Sequence, residues 1–415
     1  MERPQASADR PVPLRRSDIP STAPSARRVP STGAVLGAIL DHGPVARSTI
    51  ARLTGLSPAS VTGHCGMLLT RGLIREGPET AGPRGLGRPH IPVEIDTGRY
   101  LVAGAHIAVA HTTLSLVDLR GSIVAEEREP HRDTAPAQIL TGLAARLPRL
   151  LARRGSGRTV LALGAATGHW VDPAAGVVVR HPQLGWRDVA VRDILAEATG
   201  LPVHVDSHAR ALARAEQLIG QVSTRGSAVL LFVGAVVDAA FVSAGAVHQG
   251  PRSGAGSVAH LSVGTGSGRT CACGKTGCLQ AEASESATVR RAAELGLHVP
   301  SFTALLGRAI DNDERAVTVF RRRARTVGRA AALLLDMFDP DVLVVVEPGT
   351  GRLPYCMDEL RAEVAERSWV CDDPERVVVP SSFTGSVLAT AGSAVALGAL
   401  YDDPLGPWPA LPAVS

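Results

Sequence analysis

Residues 46–72 read ARSTIARLTGLSPASVTGHCGMLLTRG, a short helical pattern, a glycine turn and a second helical pattern. In the first, Ile50 and Leu53 fall on the inward face, and Gly55 supplies the left-handed conformation that a sharp turn demands. Ser57 is an N-cap with Pro58 at the first helical position, and Val61, Cys65, Leu68 and Leu69 form the apolar stripe of the helix that follows. Upstream, AVLGAILDH at 34–42 sets Val35, Leu36, Ile39 and Leu40 on one face and stops at Gly43-Pro44. Helix, tight turn, helix is a helix-turn-helix. GLIREG and HIPVEID, on either side of a Gly/Pro/Arg-rich stretch, are expected as two strands of a wing.

In such a unit the second helix enters the major groove by its amino-terminal end. The side chains off the apolar stripe there, Ala59, Ser60, Thr62, Gly63 and His64, with Ser57 and Pro58 at the helix start, are the candidate contacts to a double-stranded DNA operator. The amides at 58–60 offer the positive end of the helix dipole to a phosphate. Arg84-Gly85-Leu86-Gly87-Arg88-Pro89 adds two arginines on a thin chain that fits a narrow minor groove; an ordinary flexible hinge has the same composition. A three-helix packing domain without DNA affinity would show the same periodicity, so a protein-binding role for the module is a rival reading.

Charge is distributed accordingly. The chain of 415 residues has a net charge of +4, and residues 1–99 hold 13 arginines against 8 acidic residues, leaving the remainder about neutral. Aromatic residues are 3% of the chain, which argues against base stacking on single strands as a general mechanism. Hydrophobic residues are 45% without any run long enough to span a bilayer, and no secretory signal is evident, so no membrane association and a cytoplasmic location are expected. From Tyr100 on, the runs YLVAGAHIAV, TTLSLVDL, TVLALGAAT, AVLLFVGAVV and VLVVVEPG alternate with Ala/Leu/Arg helical segments, the pattern of an α/β architecture. The expected layout is a disordered basic tail at 1–31, the winged helix-turn-helix at 32–82, linker and wing end at 83–97, an α/β body at 98–405 and a tail at 406–415.

Three of the six cysteines, Cys271, Cys273 and Cys278, lie in one loop with Gly274 and Gly277. So close a set of thiols suits a metal ion, and four-coordinate zinc needs one more donor. His260 is the nearest candidate upstream, although a pocket or core role for it is the alternative. With no open position the zinc would be structural. Cys65, Cys356 and Cys371 carry no clear chemistry.

The segment AGSVAHLSVGTGSGRTCACGKTGCLQ, 255–280, resembles the ROK family of repressors, open reading frames and sugar kinases, whose pattern there is AGE-x-GH followed by CxCGxxGC-LE. VDLRG at 117–121, HPQLGWRDV at 181–189 and ARALARAE at 209–216 extend the likeness, which with the winged module looks like the regulator branch of NagC/Mlc/XylR type. The resemblance implies a two-lobed, actin-like (ribonuclease H-like) body with a zinc-binding loop and the ligand set His260, Cys271, Cys273 and Cys278. It also implies pocket residues at Gln183, Ser207, His208, Ser257, His260 and Gln280.

The kinase motifs depart from the family pattern. Where family kinases have DxGGT, GAHIAVAHT places His106 at the aspartate and Ala108 and Val109 at the glycines. The second phosphate turn reads Gly234-Ala235-Val236-Val237-Asp238, and the catalytic Asn-Asp pair is Ser207-His208. Side-chain bulk where backbone should approach phosphate argues against ATP binding. The expectation is therefore a non-enzymatic transcriptional regulator, a repressor of carbohydrate-related genes. Its body would form a homodimer or homotetramer and could sense a sugar or sugar-derived effector. An ATP-dependent sugar kinase with atypical motifs is the alternative.

Overall fold

The computed structural model describes residues 30–78, 91–221, 224, 226–264 and 269–409. It opens with α1 (Ser31–His42), α2 (Arg47–Thr54) and α3 (Pro58–Thr70), followed by β1 (Ile74–Glu76) and β2 (Val93–Ile95), paired antiparallel as Ile74↔Ile95, Arg75↔Glu94 and Glu76↔Val93. Gly55, at φ +70°, ends α2. Val35, Leu36, Ile39, Ile50, Val61, Cys65 and Leu68 are all buried. Leu53 corrects the sequence reading: it is exposed, because in a helix of eight residues the inward arc is narrow and Ile50 alone fills it.

The body repeats one plan twice. In the first lobe β3 (Tyr100–Ile107), β4 (His111–Asp118) and β5 (Ile123–Pro130) form an antiparallel meander, α4 (Pro136–Arg154) crosses over, and β6 (Thr159–Thr167) returns parallel to β3. A small sheet of β7 (Trp170–Asp172), β8 (Val177–His181) and β9 (Trp186–Val189) and then α5 (Val191–Thr199) precede β10 (Val203–Ser207), which pairs with β6, and α6 (His208–Ile219). In the second lobe β11 (Ala228–Val233), β12 (Val237–Ser243) and β13 (Ala246–Val247) are the antiparallel strands. Then come α7 (Leu279–Ala283), α8 (Glu285–Glu294), α9 (Phe302–Ile310) and α10 (Glu314–Phe338), β14 (Val342–Val346), α11 (Pro354–Arg367), α12 (Pro374–Val377), β15 (Val378–Pro380) and α13 (Val387–Asp402). The strand orders β10-β6-β3-β4-β5 and β13-β12-β11-β14-β15 are equivalent.

Both faces of the second sheet are covered, which explains its unbroken apolar strands. Val229, Leu231 and Val233 pack toward α7, α10 and α11, while Ala228, Leu230 and Phe232 pack toward α6. Helices α6 and α13 lie against each other between the sheets. α13 is VLATAGSAVALGALYD, apolar on every side, as a helix without a solvent face must be. It touches the first sheet backbone to backbone: a Cβ on Gly164 would stand 2.3 Å from the Gly392 carbonyl oxygen, and one on Gly104 would stand 2.3 Å from the Ser393 nitrogen.

The carboxyl-terminal half of α13 joins a cluster that the winged module shares. Val35, Leu36 and Ile39 of α1 and Val93 and Ile95 of β2 pack in one core with Val102, Val117, Leu161, Leu397, Leu400 and Tyr401. Tyr401 donates to the Leu119 carbonyl at 2.8 Å, and Arg120 donates to the Leu40 carbonyl at 3.3 Å. Trp408, which the sequence reading assigned to a tail, also packs on this cluster and donates to the Asp403 carbonyl at 2.8 Å. Ser31, assigned to the amino-terminal tail, is the first residue of α1.

The glycine contacts make a contrast that denaturant unfolding can read. Gly164→Ala, with no room for a methyl group, is expected to cost about 1–3 kcal/mol. Gly142→Ala, exposed on α4 with nothing within 4 Å, is expected to stabilise by about 0.5–1 kcal/mol. Similar shifts for the two would contradict the close packing of α13.

Candidate functional site

The start of α3 is built as its residues require. Ser57 Oγ accepts from the Ser60 amide at 3.2 Å, with Pro58 at the first helical position. Ser57, Pro58, Ala59, Thr62 and Gly63 are exposed and Ser60 is half-buried. Proline has no N–H and the Ser60 amide is taken by the cap, so the expected row of free amides at 58–60 is reduced to that of Ala59. Thr62 Oγ1 donates to the Pro58 carbonyl at 2.9 Å. His64 is half-buried, its Nδ1 2.8 Å from Thr32 Oγ1; it ties α3 to α1 rather than standing free. Arg84 and Arg88 lie outside the described residues. The wing adds an exposed cation the sequence reading passed over, Arg75, paired with Glu94 at 2.9 Å.

Between the lobes lies a cavity of about 450 Å³. His169 and Trp170 line it from the start of β7, Ser207 from the end of β10, Asp238 from β12, and His248, Arg252 and Ser257 from the loop after β13. Of the six expected pocket residues, Ser207 and Ser257 are on its wall. Gln183 reaches it through His169, whose Nε2 is 2.5 Å from Gln183 Oε1. His208 sits behind Asp238, with Nε2 3.1 Å from the carboxylate. Gln280 is turned away: it accepts from the Val237 amide at 2.8 Å and donates to the Ala235 carbonyl at 2.8 Å, holding that turn. His260 belongs to the cysteine cluster instead. The lining residues that the sequence reading missed, His169, Trp170, His248 and Arg252, sit in turns flanked by glycine, the one signal that could have marked them.

His106 is buried with Nε2 3.2 Å from His208 Nδ1, the two rings near parallel and meeting edge to edge with centroids 5.5 Å apart. Burial, followed by the neighbouring His208, holds its pKa well below the usual imidazole range. Val236 is buried and stands so close to Gly168 that a Cβ there would meet it at 2.8 Å. Burial pushes the Asp238 carboxyl up, but its contacts with His208 and with the His169 amide at 2.7 Å outweigh this and keep it below the ordinary value. Asp206, next to Ser207 in the chain, is bound by Arg210 at 2.6 Å.

The cysteine loop brings its donors together. Ligand atoms of His260, Cys271, Cys273 and Cys278 all lie within 4.8 Å of one another, with Cys273 Sγ 3.7 Å from Cys278 Sγ and Cys271 Sγ 3.6 Å from His260 Nδ1. Gly274 and Gly277, at φ +85° and +74°, let the chain curl around that point. Burial, then the neighbouring thiols, pushes Cys278 up to about 12. Such crowding of thiols is what a bound cation would relieve, and the four residues could hold one metal ion.

Paired five-stranded sheets around a cleft, with a helix-turn-helix module in front, define a two-lobed α/β protein of sugar-kinase type fused to a winged module. The model described as the ROK family matches residues 102–399. The chain belongs to the ROK family, in its transcriptional-regulator branch. Transcriptional regulator Rv0485 of Mycobacterium tuberculosis is 33% identical over 391 residues, covering 91% of this chain and 87% of that protein. The DNA-binding transcriptional dual regulator NagC of Escherichia coli is 26% identical, covering 76% and 79%. The fold matches the crystal structure of a ROK family transcriptional regulator, a homologue of the E. coli MLC protein, with TM-score 0.75 at 23% identity over 90% of this chain and 96% of that one. It also matches a ROK family glucokinase from Streptomyces griseus, with TM-score 0.61 at 23% identity over 71% and 98%.

Buried histidines give the body a pH dependence. His181 is fully buried and burial, then His169, pushes it down to about 3. Unfolded, it binds a proton near pH 6.5. As pH falls from about 6.5 toward about 3 the unfolded state takes up a proton that the folded state refuses, so stability falls. His181→Asn should flatten the dependence by about 1.4 kcal/mol per pH unit in that window. Urea titrations at several pH values would reveal it, and an unchanged slope would contradict it.

Proposed function

We propose that the chain is a DNA-binding transcriptional repressor of carbohydrate-related genes, with a catalytically inactive kinase-like body used for oligomerisation and effector sensing. The observation that carries this reading is the exposed first turn of α3, held by the Ser57 cap and flanked by a two-stranded wing. Thr62, Ser57 and Ser60 supply hydroxyls for base edges or phosphates. Ala59 and Gly63 allow close approach. Arg84 and Arg88 supply minor-groove or phosphate contacts from the linker. Repressor action is supported by relatives named N-acetylglucosamine repressor.

The cavity suits a sugar or sugar-derived effector, bound by hydroxyls and amides around Ser207 and Ser257 with Gln183 steering His169. His106, His208 and Val236 in place of a phosphate cradle favour an inactive body over a kinase. The cysteine loop suits structural zinc: a zinc–sulfur bond of about 2.3 Å sets tetrahedral sulfurs about 3.8 Å apart, close to the 3.7 Å between Cys273 and Cys278. With His260 as fourth donor the ion would have no open position, and its work would be to fix the loop that carries Ser257 and His260. A homodimer or homotetramer would present two winged modules to two half-sites.

Genomic-fragment selection with the purified chain, followed by anisotropy titration at two salt concentrations, tests the reading. A few enriched sites bound with steep salt dependence are expected. Arg88→Ala should weaken all sequences alike, whereas Thr62→Ala should change site preference at single positions by about 1–3 kcal/mol. Equal effects from both changes would contradict the division of roles. Cys278→Ser should abolish one equivalent of bound zinc by elemental analysis; full retention would contradict the ligand set.

A further inference from the structure

The outward face of α3 is bare. Thr62, Gly66, Ala59, Thr70, Gly63 and Met67 follow one another around the exposed arc of the helix, opposite the buried Val61, Cys65 and Leu68. α3 holds no charged residue and no Asn or Gln, whereas a surface helix ordinarily turns such residues to solvent. The two hydroxyls on that arc are engaged: Thr62 Oγ1 donates to the Pro58 carbonyl at 2.9 Å and Thr70 Oγ1 to the Gly66 carbonyl at 3.0 Å. With their protons bound back to the helix, these threonines have a methyl group and a lone-pair oxygen left to offer. Gly63 and Gly66 add an independent observation. A Cβ on either would meet nothing within 4 Å, and neither has a positive φ, so nothing inside the chain requires glycine there. Each nonetheless weakens the helix interior. Glycines that the chain's own packing does not need leave room for a molecule outside it that approaches the helix backbone.

The cations stand beside this face rather than on it. Arg47 and Arg52 belong to α2, the helix that crosses the phosphate backbone in a helix-turn-helix, and Arg75 belongs to the wing strand β1. Phosphates are thus met from the flanks. Base edges are met by a helix that lacks the side chains which pair with them most specifically: Arg or Lys for guanine, Asn or Gln for adenine, Asp or Glu for cytosine. The base-edge feature that suits an Ala, Thr and Met surface is the C5 methyl group of thymine, which is recognised by apolar contact.

We propose that α3 reads its DNA site through thymine methyl groups, with Ala59, Thr62 and Met67 as the contacts and Gly63 and Gly66 clearing the depth that the helix needs in the major groove. The proposal rests on the DNA-binding reading and adds the base chemistry that α3 selects. Selection of the full chain on a random-sequence duplex library supplies a bound duplex, which is then remade with deoxyuridine in place of thymidine, one position at a time. Uracil pairs as thymine does and lacks only the C5 methyl. At contacted positions of each half-site affinity should fall about fourfold, the worth of one buried methyl group; outside the half-sites it should not change. Thr62→Ser keeps the hydroxyl and removes the methyl, so it should abolish the uracil effect at one position of the half-site.

The glycines give a readout in which stability and affinity move in opposite directions. Gly66→Leu should raise the urea midpoint of the free chain and weaken the selected duplex at least about tenfold, because the added side chain holds α3 off the bases. Gly142→Ala on α4, also in open space, should raise the midpoint and leave DNA affinity unchanged. Absence of any enriched duplex would overturn the DNA-binding reading and this proposal together. An enriched duplex that binds equally well with uracil throughout, that keeps its uracil sensitivity at every position with Thr62→Ser, or that binds Gly66→Leu as tightly as the wild type would overturn this proposal and leave the DNA-binding reading standing.

Discussion

A helix reaches a β-sheet to backbone contact only where both surfaces lack side chains, and α13 meets β3 and β6 through Gly104, Gly164 and Gly392. Everything else in the molecule is arranged around that contact. It brings α13 deep enough for α6 to fit beside it and for the second sheet to close over the pair, which defines the cleft between the lobes. It also aims the last two turns of α13, with Leu397, Leu400 and Tyr401, into the core of the winged module. The winged module is thereby welded to the body by shared apolar burial, and α13 is a rigid element that runs from the body into the core beneath α1. Coupling between two sites needs a two-state element that both sites bias; α13 packs on α1 and on α6, whose N-cap Ser207 is on the cavity wall.

The cleft is lined by packed and hydrogen-bonded side chains from both lobes. In it His106 meets His208 edge to edge, Asp238 is held by His208 and the His169 amide, and Val236 stands against Gly168. Polar groups survive on the cavity wall at Ser207, Ser257 and His169.

Local punctuation made the winged module legible in the sequence. Gly55, Ser57 and Pro58 act within a few residues of themselves, and the turn, the cap and the stripe of α3 stand where their chemistry requires. The α/β alternation was equally readable, since the composition of β3, β4, β6, β11 and β14 reflects burial on both faces. Leu53 was misread because one turn of a short helix does not fix its phase. The docking of α1 on α13 was invisible, as it joins residues more than three hundred positions apart through featureless Ala, Leu and Val. The cavity was half legible: Ser207 and Ser257 follow motif positions, but His169, Trp170 and Arg252 come together only through the topology. Gln280 illustrates the limit of reading by position, for its amide has turned to hold the Ala235–Val237 backbone.

Native-state hydrogen exchange tests the weld directly, because amides that open only with global unfolding report one shared stability. The most protected amides of α1 and α3 are expected to exchange with the same opening free energy as those in the carboxyl-terminal half of α13. Exchange of α1 and α3 through a separate opening of lower free energy, with α13 still protected, would contradict the account.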